Sequence, residues 1–315
     1  MTAGSGLAAG LALAALLAAG AIAPAAHADN GRAAILDASI SSDTDGFRAS
    51  RLRAGGHFLY ENPWKYAGVA VQTTRYSQGD FREDAQGVVG LWRDQRRDTL
   101  AGVDAEIGAV RVAGHTRAVG DITWRIVPGP ATAVEVLASA DLVDAPEALE
   151  RAIGYALVGV SAERAFGERF SVTGLAAWQP FTDGNARLHL RARMIWLAMP
   201  EHGVSAQLRY RQYASRDDDV GGAYFNPETY RQWLAVAAIR KRHAGWMLSG
   251  ALGAGQERSS GNGTQGAYLA EARAEGPLGD RARLVLRAGY HRAAGFVDAP
   301  DYAWRYAGAT LVVPL

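Results

Sequence analysis

The sequence contains no cysteine in 315 residues, which rules out a disulfide framework and any thiolate or zinc–thiolate chemistry. Neither charge is in surplus. With 33 Lys and Arg against 32 Asp and Glu, the chain has no overall basic footprint for nucleic acid. After residue 28 no apolar run approaches the ~20 residues that a membrane helix needs. Heptads, low-complexity linkers and repeats longer than a hairpin are missing as well, so one domain is expected to fill residues 29–315. There is no Gly-x-Ser-x-Gly elbow and no His-x-x-x-His pair. His115 and Ser139 are the nearest approach to a base and a nucleophile, on neighbouring strands.

The segment before residue 29 reads as a leader. Leu7 to Ile22 is apolar and small, Pro24 follows, and Ala26-His27-Ala28 is an A-x-A cleavage site, so residues 1–28 are expected to be a signal peptide and the mature chain to start at Asp29.

What the mature chain has in quantity is period-two alternation. In 186–199, Arg187, His189, Arg191 and Arg193 alternate with Leu188, Leu190, Ala192, Met194 and Trp196. In 204–215, Gln207, Arg209 and Arg211 alternate with Ala206, Leu208 and Tyr210, and only Pro200-Glu201-His202-Gly203 intervenes, which spells a hairpin. These runs are about twice the usual 5–6 residues of a soluble strand and match what a tilted strand needs to cross a bilayer. Sixteen such runs follow one another: 33–41, 47–59, 64–77, 82–93, 99–111, 114–125, 132–142, 153–165, 170–180, 186–199, 204–215, 230–241, 246–257, 266–276, 282–292 and 302–315.

Breaks after even-numbered runs are mostly short. Several after odd-numbered runs, 143–152, 216–229, 258–265 and 293–301, are longer and more polar. The expected fold class is therefore all-β, a transmembrane antiparallel up-and-down β-barrel of about 16 strands in the outer membrane, where closure alone satisfies every backbone group. Both termini fall on the side of the short turns, the periplasm.

An arginine facing lipid at mid-depth costs about 2–4 kcal/mol, so the charged series must face the lumen. Arg187, His189, Arg191, Arg193, Arg209, Arg211, Arg283, Arg287, Asp104, Glu106, Glu135 and Glu271 are the expected pore-lining residues, with Asp141 and Glu275 as further carboxylates. His189 lies among arginines, poor company for an imidazolium. Trp64, Trp92, Trp124, Trp178, Trp196, Trp233, Trp246 and Trp304 fall mostly near run ends, as an interfacial girdle would. Residues 146–153 are the one helical patch, too short to stand alone.

Three local motifs carry a resemblance: Glu147-Ala148-Leu149-Glu150-Arg151-Ala152-Ile153, Asp183-Gly184-Asn185 followed by Arg187, and Tyr224-Phe225-Asn226-Pro227. In this order the chain resembles the C-terminal barrel of the poly-N-acetylglucosamine export porin family and, more distantly, the outer-membrane barrel of the cellulose synthase system. The resemblance implies a sixteen-stranded outer-membrane conduit for a secreted polysaccharide, with outer-membrane lipid as its surroundings and no cofactor, metal or enzymatic step. Those proteins carry tetratricopeptide repeats before the barrel. Only a handful of residues lie here between the signal and the first strand, which implies a separate periplasmic scaffold or polysaccharide-modifying enzyme as partner.

The arginine-rich lumen departs from what a cationic glucosamine polymer would want and favours a neutral or anionic passenger, or a barrel sealed by Arg–carboxylate pairs. Asp183, Asn185, Tyr224, Phe225 and Asn226 are the candidate loop contacts to sugar, through stacking and hydrogen bonds; the same loop folded back as a cap is the other reading. Asp217-Asp218-Asp219 reads as a solvated loop tip or an oxygen site for a divalent cation. A general diffusion porin, a structural barrel and a lipid-modifying outer-membrane enzyme are the alternatives.

Overall fold

Alternation at this length leaves the backbone one way to satisfy its hydrogen bonds without an edge, and the chain takes it. A computed structural model describes residues 31–217, 219–293 and 302–315; the leader expectation and Asp218 lie outside the described residues. The strands are β1 Ala33–Asp43, β2 Arg48–Asn62, β3 Lys65–Gln78, β4 Phe81–Gln95, β5 Gly102–Val112, β6 His115–Gly129, β7 Thr132–Leu142, β8 Gly154–Phe166, β9 Phe170–Pro180, β10 Ala186–Met199, β11 Val204–Ser215, β12 Thr229–His243, β13 Trp246–Ser259, β14 Asn262–Leu278, β15 Ala282–Arg292 and β16 Ala303–Pro314.

Each strand pairs antiparallel with the next. β1 pairs with β16 from Ala33↔Pro314 to Asp43↔Trp304, which closes the barrel. A five-residue helix, α1 (Pro146–Glu150), and a single 3-10 turn at Pro200–His202 are the helical elements described. No described helix is long and apolar enough to cross a membrane.

The sixteen runs read from the sequence are the sixteen strands observed, and the longer connections 143–153 and 216–228 follow odd-numbered strands; the expected break at 293–301 lies outside the described residues but for 293. One connection differs. Residues 258–265 do not form a long loop, because β13 and β14 continue in register through Glu257↔Gln265 and Arg258↔Thr264 to a tight turn at Ser260-Gly261. Gly261 (φ +84°) supplies the left-handed corner. Polar composition there reflects a ladder standing clear of lipid, where alternation is no longer enforced.

The outward face is apolar in its middle band, where Val69, Val71, Val88, Ile107, Val158, Val160, Leu190 and Leu252 are all exposed. Trp92, Trp124 and Trp196 sit on this face toward the short-turn end of their strands, and Trp178 and Trp233 toward the other, all about half exposed. Trp304 departs from the girdle. It faces inward beside His291 and Tyr306, with ring centroids at 5.7 and 4.8 Å, since Ala307 and Ala309 on the same strand take the outward parity.

Candidate functional site

The same parity turns all twelve candidate pore residues inward, and most of the lumen charge is consumed in pairs. Arg53 grips Glu106 with both terminal nitrogens (2.7 and 2.5 Å) and donates to Gln72 at 3.0 Å. Arg93 binds Asp104 at 2.5 Å, Arg125 binds Glu135 at 2.5 Å and lies 3.5 Å from Glu163, and Arg287 reaches Asp37 at 3.1 Å. Arg283 and Arg273 share Glu275. Such charge-assisted pairs hold where single buried ions would not. Asp37, Arg53, Arg93 and Arg125 carry little signal in the sequence, because their strands alternate less cleanly.

The exception is one side of the barrel. Arg191 stands directly opposite Arg211, and Arg193 opposite Arg209, on adjacent β10 and β11. Like charges so placed repel. Arg209 is held by Gln207 at 3.1 Å and Glu271 at 3.5 Å, and Glu271 also meets His291 at 3.4 Å. Arg211 donates to the Tyr230 hydroxyl at 2.7 Å, which donates in turn to Glu257 at 2.6 Å. Among the described residues no carboxylate lies within ion-pair distance of Arg191 or Arg193. Both face a lumen cavity of about 610 Å³, shared with Glu135, Thr173 and Gln232. His189 is tied to Gln179 at 2.7 Å and packs on Tyr213.

A plug sits in the mouth at the long-loop end. The loop carrying α1 folds into the barrel: Leu149 is 0 % exposed and, with Ala152, joins Phe47 of the β1–β2 turn and Tyr76, Val110, Val112 and Val119 from the inner wall of β3, β5 and β6. Arg117 donates to the Ala152 carbonyl at 2.7 Å. The other side of the same loop, Ala148 and Ile153, packs on Phe181, Ala223 and Tyr224. A five-residue helix has no stability of its own, so these two apolar contacts hold it.

The motifs at 147–153, 183–187 and 224–227 thus meet in one knot. Tyr224, 4 % exposed, stacks on Phe181 at 5.1 Å and donates to Asp183 at 2.9 Å. Asn185 donates to the Tyr224 hydroxyl at 3.1 Å and to Asn226 at 3.0 Å. Arg187 donates to the Phe225 carbonyl and to Asn226, with its guanidinium 4.9 Å from the Phe181 ring. Asp183, Asn185, Tyr224 and Asn226 are hydrogen-bonded to one another, while Phe225 stays partly exposed beside them. Of the other sequence candidates, Asp219 accepts from the Gly221 amide at 2.8 Å. His115 and Ser139 stay apart: the direct partner of Ser139 is Asp121, six residues along β6 from His115 or roughly 20 Å of strand.

Asp144, at the root of the plug, keeps an exposed edge but is crowded by Tyr76, Arg51 and Asp141, and sequence pattern alone gives no signal for it. Desolvation by the protein packed around it, helped by the Asp141 carboxylate, pushes its carboxyl up to about 7 against the opposing pull of Arg51 and the Tyr76 hydroxyl. A carboxyl raised in the docked state favours docking fully at pH below its ordinary value of 3.8, and that contribution is lost as pH rises through about 7. Conductance of the reconstituted barrel should therefore rise between acid and neutral pH. Asp144→Asn, which cannot ionise, should flatten the profile; an unchanged profile would place the titrating group elsewhere.

No protein-family model and no curated protein sequence matches the chain. Among solved structures it is similar to one titled "Bacterial polysaccharide outer membrane secretin", at 12% identity and a TM-score of 0.66, over 91% of this chain and 99% of the other. The outer membrane protein OprD from Pseudomonas aeruginosa aligns at 12% identity and a TM-score of 0.44, over 90% of this chain and 94% of that one. At these identities the likeness is one of fold, an outer-membrane type of β-barrel.

Proposed function

We propose that the chain is a gated outer-membrane conduit through which an anionic or acid-bearing polysaccharide leaves the cell, the plug closing its outer mouth at rest. The observation that carries the reading is the pair Arg191 and Arg193, which face the cavity with no carboxylate in ion-pair distance among the described residues. Repulsion from Arg209 and Arg211 is a standing cost to the fold that a polyanion in transit relieves. Sugar hydroxyls find acceptors and donors along the same cavity in Thr173, Gln232 and Glu135. The fold shared with a polysaccharide secretin supports the class of passenger, and a plug held by a few apolar contacts supports gating over free diffusion.

A dedicated conduit and a general diffusion porin part ways in cells. Removing the protein should strand the secreted polymer in the periplasm and leave uptake of small sugars unchanged. Slower sugar uptake with normal polymer secretion would favour the porin.

A further inference from the structure

On the outward face at the long-loop end, Arg231 of β12 stands directly opposite Arg258 of β13, both exposed. Among the described residues neither has a hydrogen-bond or ion-pair partner. Two like charges in a directly paired position destabilise a sheet unless something lies between them. Arg231 is two residues beyond the half-exposed Trp233, so the guanidiniums sit just outside the aromatic level of the apolar band, at the depth of lipid headgroups.

The pair belongs to an arc. Arg292 on β15 lies over the Tyr268 ring at 5.8 Å, Arg305 on β16 donates to Ser42 at 2.9 Å, and Arg48 on β2 is exposed. Outward arginines elsewhere at this end are differently placed: Arg75 pairs with Asp84 at 3.1 Å, Arg82 donates to the Gly79 and Phe81 carbonyls, and Arg111 stands opposite Gln86 and Thr116, so none of them faces another arginine. Below Arg292 and Arg305 the same strands hollow into an outward apolar groove of about 490 Å³, floored by Ala288, Ala307 and Ala309 and walled by Leu286 and Ile40.

We infer that this arc is a binding site for a phosphorylated, acylated lipid of the outer leaflet, its phosphate bridging Arg231 and Arg258 and an acyl chain of a neighbouring lipid lying in the alanine groove. Arginine suits the role, since its planar fork meets phosphate oxygens two at a time and it is weakly hydrated. The site is independent of what passes through the lumen.

The test uses the folded chain in zwitterionic detergent with bisphosphorylated lipid A as the probe, read by binding and by thermal unfolding. Wild type should bind it and unfold at a higher temperature with it. The double variant Arg231→Gln/Arg258→Gln should bind about tenfold more weakly and lose most of the thermal gain. Without lipid it should be at least as stable as wild type, because the repulsion is gone. Lys241→Gln, outward at the opposite end of β12, should behave as wild type. Equal lipid A gains in wild type and the double variant would overturn the proposal. So would the same gain from inorganic phosphate or from a phosphocholine lipid.

Discussion

Replacing Leu149 with aspartate should open the barrel. Leu149 is 0 % exposed and is the apolar anchor of the plug against Tyr76, Val110 and Val112. Truncating such a leucine costs about 2–5 kcal/mol, and placing a carboxylate there without a partner costs several more. Against this, α1 contributes nothing of its own, and the remaining ties include the Arg117 hydrogen bond to the Ala152 carbonyl and the contact of Ala148 and Ile153 with Phe181, Ala223 and Tyr224. The loss falls on docking and not on the barrel, because the sixteen-strand ladder closes through β1 and β16 without the plug. Single-channel conductance should rise several-fold, with heat-modifiable mobility and strand content unchanged. Leu149→Ala should give an intermediate, flickering channel. Wild-type conductance in the aspartate variant would show that the loop does not occlude the path.

The second large effect is on selectivity. In the opened background, Arg191→Glu with Arg193→Glu should abolish the preference for anions. Two opposed unit charges at 4 Å are worth about 1 kcal/mol even at the dielectric of water and about 4 kcal/mol in a partly shielded site. A tenfold change in permeability ratio needs only about 1.4 kcal/mol. Each reversal also puts a carboxylate directly across from Arg211 or Arg209, where the native pairs repel. The reversal potential in a salt gradient should therefore move from the anion side to near or past zero, while thermal stability holds or rises. An unmoved reversal potential would take the arginine pole out of the conducting path.

How far the sequence foretells this molecule depends on where lipid enforces a pattern. Within the bilayer an arginine on the wrong face is prohibitive, so β10 and β11 show their parity in Arg187, Arg191, Arg209 and Arg211, and the strand count follows. Beyond the bilayer that pressure lapses. Thr264 and Gln265 look like loop yet lie in the β13–β14 ladder. Trp304 is legible in principle, since the outward parity of Ala307 and Ala309 sends it inward.

The plug is not legible, because closure and stagger decide which strands face each other across the lumen. Leu149 meets Tyr76 and Val110 from distant parts of the chain, and Asp144 comes beside Arg51 and Tyr76 only because that loop folds in. The motif residues Asp183, Asn185, Tyr224 and Asn226 are visible as a set, but their mutual hydrogen bonds, and so their role in tying these loops, exist only in the assembled mouth.

A gated conduit for an acidic polymer stands or falls on polymer transit through the Leu149→Asp barrel in a planar bilayer, with end-labelled polyuronate and a glucosamine polymer of equal length offered from the short-turn side. Label should reach the far side for the polyuronate and scarcely for the aminosugar, and the difference should vanish when Arg191 and Arg193 are reversed. Equal transit of both polymers, or of neither, would contradict the arginine-lined path.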